Sequence, residues 1–204
     1  MRLLLVTVLA ICANAQPEPV DPIIQADQIQ AKVAEESRGI PAVDSEFLFM
    51  MIRPSSLPFE GAGMGVFAKV EIAANEILCE YRGATIPSDQ PFNSNYIYSS
   101  KKVTGEPFNI VPDMNKPICA IINDCALIVG NNYTTAELDA YESNDTLIMP
   151  TYPGYAYNAR PMFTAMGKVF IISNEAIPAG AEIFYSYGNR YWVPRIRYPQ
   201  YFKF

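Results

Sequence analysis

The sequence predicts a mostly β (α+β) domain of short, twisted sheets with few short helices. Three observations carry this. From Phe47 onward, short apolar or alternating runs recur between turn residues, and seventeen prolines punctuate the chain. Hydrophobic residues make up 50% against 18% charged, which places the chain on the folded side of the divide from disorder. A length of 204 residues fits one domain with a real core and is short for two.

In chain order, Met1-Arg2 followed by the apolar run Leu3 to Cys12 is too short to span a bilayer, and Ala13-Asn14-Ala15 supplies a small-x-small cleavage site. Residues 1–15 read as a secretory signal peptide; the alternatives are a buried first strand or a mis-chosen start. No other run reaches membrane length. Cleavage would leave 204 minus 15, or 189 residues, and 14 basic against 21 acidic side chains, a net charge of -7. The protein would then be secretory or extracellular; a chain that keeps its leader would be nuclear or cytoplasmic.

Residues 16–45 read as a linker and a helix. Gln16-Pro17-Glu18-Pro19 is linker-like, Asp21-Pro22 provides an N-cap with proline at the first helical position, and Gly39 stands at a helix C′ position. The apolar stripe of the expected helix over 22–38, Ile23, Ile24, Ile29 and Val33, is thin.

Strand-like runs follow at Gly65–Ala68, Glu76–Tyr81, Asn95–Tyr98, Phe108–Val111, Lys168–Ile172 and Glu182–Tyr185. Thr134-Thr135-Ala136-Glu137 before Leu138 is a capping-box pattern and predicts one short helix. Residues 126–157 hold Glu137, Asp139, Glu142 and Asp145 without a Lys or Arg; residues 183–204 hold Arg190, Arg195, Arg197 and Lys203 without an acid. Each run can be an ordinary solvated surface; read functionally, they are an acidic lip and a basic, tyrosine-rich flap.

Composition also excludes chemistry. The chain has no histidine, which removes Ser-His-Asp and Cys-His nucleophilic catalysis, the H-E-x-x-H zinc site and an imidazole pH switch. A net charge of -6 argues against a mainly electrostatic nucleic-acid binder and favours a basic or neutral partner. Beyond the leader, Cys79, Cys119 and Cys125 are an odd set for a disulfide framework and a poor zinc site, although one pair with one free thiol is open to them. Asn132-Tyr133-Thr134 and Asn144-Asp145-Thr146 are N-glycosylation sequons.

Four segments, in order, carry the functional signal. They are Gly61-Ala62-Gly63-Met64-Gly65-Val66-Phe67-Ala68; Glu80-Tyr81-Arg82-Gly83; Ala120-Ile121-Ile122-Asn123-Asp124-Cys125; and Glu182-Ile183-Phe184-Tyr185-Ser186-Tyr187-Gly188 with Tyr191-Trp192. Together they resemble the SET domain of protein lysine methyltransferases, in which a glycine-rich turn leads into V/I-F-A. A strand ending E-Y-x-G, an Ile-Asn-His motif, a second Asn and a closing G-E-E-L-x-x-x-Y-G follow. Asp113 sits where the family often has an Asp. The resemblance spans about residues 46–192, giving a SET domain over 46–194 with an acidic insertion at 126–157 and a basic aromatic tail at 195–204. Two departures stand out: Asp124 replaces the family histidine, and the cysteine-rich segments that hold zinc in many members are absent, so no metal is expected.

The resemblance implies methyl transfer from S-adenosylmethionine to the side-chain amine of a lysine in a protein substrate, one in a basic context suiting the acidic surface. It implies a cofactor pocket at Gly63, Met64, Gly65, Asn123 and Asp124, with Tyr187 as the catalytic hydroxyl. Tyr81, Tyr185, Asn158 and Trp192 would line the lysine channel. A rival reading is a SET-fold binding or scaffold protein without turnover; another is a secreted glycoprotein acting in recognition.

Overall fold

The structure, a computed structural model, describes residues 48–59, 61–89, 98–101, 105–113, 118–128, 130–164 and 167–201. The expected signal peptide, linker and helix over 22–38 lie outside these residues, as do Asn95, Tyr96 and Ile97 of one expected strand and Lys203 of the tail.

The architecture is three small antiparallel sheets. Strands β1 (Met50–Pro54) and β2 (Met64–Ala68) form a two-stranded ribbon. β3 (Ile77–Glu80), β8 (Val169–Ser173) and β7 (Ala159–Phe163) form a second sheet with β8 in the centre. β4 (Gly83–Pro87), β6 (Pro107–Pro112) and β5 (Tyr98–Lys101) form the third, with β6 central. Helices α1 (Ile118–Ile121), α2 (Thr135–Ser143) and α3 (Asn189–Arg197) and a 3₁₀ turn at Pro199–Tyr201 complete the described chain.

Burial explains the patterns. Val169 to Ser173 are buried without exception, because β8 is flanked on both edges and covered on both faces; such a strand reads as a continuous apolar run, not an alternating one. The main core joins Val66 of β2, Ile118 of α1, Ile122, Ile171 of β8, Ile177 and Ile183. A disulfide between Cys79 and Cys119 clips β3 to α1 across 40 residues, and among the described residues Cys125 is the free, buried thiol. Closing a loop of that length is worth on the order of 4 kcal/mol in chain entropy.

The run Glu182–Tyr185 differs from expectation. It is extended but belongs to no ladder, touching β2 through a Phe67–Glu182 bridge and residue 123 through a parallel Asn123–Phe184 bridge. The reason lies in Asn158, whose Nδ2 donates to Glu182 O (2.8 Å) and whose Oδ1 accepts from Phe184 N (2.9 Å). One amide side chain thus occupies the edge where a partner strand would lie.

The capping-box sequence forms α2. Thr134 is the N-cap, accepting from Glu137 N, while Glu137 Oε2 accepts from Thr134 N (2.7 Å). The insertion is closed at its neck, where Leu127 N donates to Pro150 O (2.7 Å) and Tyr152 N to Cys125 O (3.0 Å). Leu138 of α2 and Val193 of α3 meet in a small core with Ala126 and Met149.

Candidate active site

The site is built around residues 122–124, where two buried carboxylates approach from opposite sides. On the first side is the glycine turn before β2. Gly61 and Gly63 adopt positive φ angles of 95° and 67°, a region glycine enters without strain, and the turn is closed by Ser55 N donating to Gly63 O (2.9 Å). Gly65 is glycine for another reason: a Cβ there would lie 1.9 Å from Glu182 Oε1. The Glu182 carboxylate, 6% exposed, fills that space. Its Oε1 accepts from Ser55 Oγ (2.8 Å) and Asn123 Nδ2 (3.3 Å), and its Oε2 from Ser56 N (2.7 Å) and Ser56 Oγ (2.6 Å). Asn123 Nδ2 also reaches Met64 O (3.1 Å). Glu182 and Asn123 therefore fix the glycine turn together.

On the second side stands Asp124, 5% exposed. Oδ1 accepts from Ala126 N (2.7 Å) and Tyr157 OH (2.7 Å); Oδ2 accepts from Tyr187 N (2.6 Å) and Trp192 Nε1 (2.8 Å). Burial pushes this carboxyl above the usual carboxylate range, and the four donors pull against that shift. Its charge, after burial itself, raises the Tyr157 phenol and pushes the Cys125 thiol up to about 12. Cys125 is thus a neutral core residue at physiological pH.

Tyr187 joins the two sides. Its hydroxyl donates to Ile122 O (2.7 Å), one residue before Asn123, and its backbone is held by Asp124. The ring contacts Tyr185 (5.2 Å), Tyr191 (4.9 Å, edge-on) and Trp192 (6.0 Å, stacked). Tyr185 and Tyr81 are buried, and Tyr98 of β5 lies 5.2 Å from Tyr81. Burial first, then the neighbouring phenols, raise the pKa of Tyr185 and Tyr98 far above the ordinary tyrosine value, making both weaker acids. The cluster is neutral and acts only through hydrogen bonds and apolar surface.

The expected site residues fall into two groups. Gly63, Met64, Gly65 and Asn123 are brought together, and Tyr187, Tyr185 and Tyr81 adjoin them. Asp124, expected in the cofactor pocket, has its roughly four side-chain acceptor positions taken by protein donors, so a part in that pocket would fall to its backbone. Its side chain holds the backbone of Tyr187. Asn158, expected in the channel, spends both ends of its amide on the 182–184 backbone. Trp192, expected there too, engages Asp124 and stacks on Tyr187. Sequence reasoning missed Glu182, Tyr157 and Tyr98. Glu182 stood in the closing motif next to the quoted tyrosines, and Tyr157 directly before Asn158, so both positions carried a signal.

The two charged runs meet in the folded chain. Arg197 of α3 bridges Asp139 and Glu142, the latter at 3.2 Å; Arg190 pairs with Asp145 (3.2 Å); and Glu137 is used by the helix cap. Asn189 Nδ2 donates to Tyr141 O (2.9 Å) and Leu147 O (2.8 Å), satisfying carbonyls at the end of α2. Two arginines of the basic run thus pair with three carboxylates of the acidic run, whose side chains remain 63–66% exposed. Among the described residues no His/Cys/Asp/Glu group could hold a metal ion, and no helix is long and apolar enough to cross a membrane.

Among solved structures, the chain is similar to SET8 from Cryptosporidium, at 16% identity and TM-score 0.42, covering 68% of this chain and 57% of that one. It is similar to ATXR5 in complex with histone H3.1 mono-methylated on R26, at 16% identity and TM-score 0.46, covering 80% and 64%. It is also similar to the methyltransferase domain of human PR domain-containing protein 2, at 16% identity and TM-score 0.41, covering 76% and 83%. The chain spans less than two thirds of the first two. No curated protein matches it in sequence. A sequence model of the SET domain matches residues 63–188, from the glycine turn through Tyr187 and over more than half of the chain. On that match, the chain belongs to the SET-domain family.

Proposed function

We propose that the protein transfers a methyl group from S-adenosylmethionine to the side-chain amine of a lysine in a protein substrate. The observation that carries the reading is the Tyr187 hydroxyl donating to Ile122 O, adjacent to the asparagine that holds the glycine turn. A phenol whose proton is committed to a carbonyl can offer a further donor only its lone pairs. It would accept an N–H of the lysine amine and aim the nitrogen's own lone pair, a positioning effect.

The glycine turn fits the cofactor. A Cβ at Gly61 would meet nothing within 4 Å, and at Gly63 only Gly61 O at 3.9 Å, so the outer face of the turn is open. Asn123 uses its Nδ2 inward, leaving Oδ1 as an acceptor. Gly63, Met64, Gly65 and Asn123 would hold the donor, which supplies an electrophilic methyl group on a cationic sulfur. The chain's part is to desolvate the lysine: Tyr81, Tyr98 and Tyr185 surround it with neutral aromatic surface, which lowers an ammonium pKa from its free value of ~10.4. Neither buried carboxylate beside Asn123 is available as a base, since Asp124 and Glu182 are fully engaged.

Full-length protein incubated with isotope-labelled S-adenosylmethionine and a lysine-peptide array tests this. Label transfer that falls about 100-fold or more in Tyr187→Phe, with calorimetric donor binding unchanged, supports it. Donor binding without transfer to any peptide would leave a SET-fold binding module.

A further inference from the structure

The acidic insertion, partly paired with α3, has one property that methyl transfer does not use. Both sequons lie on it, one at each end of α2. Asn132 precedes the N-cap by two residues and Asn144 is the C-cap; both are exposed. The sequon hydroxyls are part of the caps. Thr134 closes the capping box, while Thr146 donates through N (2.9 Å) and Oγ1 (2.6 Å) to Asn144 Oδ1. With Oδ1 so occupied, the free face of the Asn144 amide is Nδ2, and neither it nor Asn132 Nδ2 donates to any described residue. Leu138 is the buried residue of α2, so the helix, about 14 Å long, lies on the surface with an acceptor asparagine at either end.

A second observation is independent of these tripeptides. The Cys79–Cys119 disulfide lies in the core. Such bonds form and persist in oxidising compartments, where N-linked glycans are also attached. The apolar leader Leu3 to Cys12 points to the same route.

We propose that Asn132 and Asn144 carry N-linked glycans, so that the insertion is a sugar-bearing lobe of a protein folded in the secretory pathway. In each transfer, Asn Nδ2 forms a bond to the anomeric carbon of a lipid diphosphate-linked oligosaccharide. The bond from that carbon to the diphosphate oxygen breaks, the lipid diphosphate leaves with the electron pair, and one Nδ2 proton passes to the transferase. The folded lobe accepts both sugars without moving α2, because its inward contacts run through Leu138, Asp139, Glu142 and the Asn144 carbonyl and not through the asparagine side chains. Glycans at both ends would keep macromolecular partners off the outer face of α2.

The test is expression of the full chain from Met1 in eukaryotic secretory cells, followed by peptide N-glycosidase digestion in heavy-oxygen water and peptide mapping. Two mobility steps are expected, with isotopically marked aspartate at positions 132 and 144. Asn132→Gln and Asn144→Gln should each remove one step and together both. Peptide mapping of the unsubstituted protein keeps the outcome readable if Asn144→Gln disturbs the helix cap. Unmodified asparagine peptides at both positions, with mobility unchanged by the glycosidase, overturn the proposal whichever compartment the protein occupies. Neither result depends on methyl transfer.

Discussion

Glu182 and Asp124 are two buried carboxylates on either side of Asn123, each with four donors, and they organise different halves of the site. Glu182 gathers two serines and Asn123 against the glycine turn, so its donors come from the segment that would meet the cofactor. Asp124 gathers a phenol, an indole and the backbone of Tyr187, so its donors come from the acceptor side. The first lies in the closing motif of the chain, and the second at the position where the motif resemblance leads one to expect a histidine. The comparison teaches that Asp124 is structurally provided for: the chain supplies Tyr157 and Trp192 as partners for its carboxylate. The donor half and the acceptor half can therefore be disturbed separately.

Asp124→Asn should have the largest effect. It leaves donors facing an amide that itself donates, and should cost more than about 3 kcal/mol in denaturant unfolding, with transfer lost. Gly65→Ala should be next, at about 1–3 kcal/mol, because the new methyl must displace Glu182. Here calorimetric donor affinity should fall, whereas in any variant confined to the Asp124 half it should persist. Trp192→Phe removes one donor from Asp124 and keeps an aromatic ring against Tyr187. It should cost about 1.5 kcal/mol and lower kcat with little change in donor binding; equal losses in both would break the division into halves.

The smallest effect is in pH dependence, where the Asp124 cluster and the insertion have opposite signs. Asp124 is held above its ordinary range, so its contribution is full below that range and diminishes as pH rises through the raised value. Glu137 is held below its ordinary value by the backbone and hydroxyl of Thr134, so its contribution is present above that value and is lost as pH falls through the lowered one. Unfolding curves of Glu137→Gln between pH 6 and pH 3 should show a slightly flatter acid limb than the unsubstituted protein.

Much of this was legible in the sequence. Strands β2, β3, β6 and β8, the capping box and the order of the four motifs could be read because each is a local pattern of spacing or residue type. What could not be read depends on distant partners. Ser55 and Ser56 meet Glu182 across more than a hundred residues, and nothing near Gly65 announces that a carboxylate fills its missing side chain. The charged runs were visible as composition, but their mutual pairing appears only when α3 folds back along α2. Cys79 and Cys119 share no local spacing, so the pair was one possibility within an odd set.

The Cys79–Cys119 clip bears on how this site opens. It joins the strand leading into Tyr81 to the helix leading into Ile122 and Asn123. Thermal fluctuations that lift a short, four-residue helix such as α1 from the core would ordinarily be local and cheap. Here the same opening must carry β3 with it, and β3 is hydrogen-bonded to the fully buried β8. Amide hydrogens of both segments should therefore exchange as one slow unit in the oxidised protein, and as two, the helix faster, once the bond is reduced.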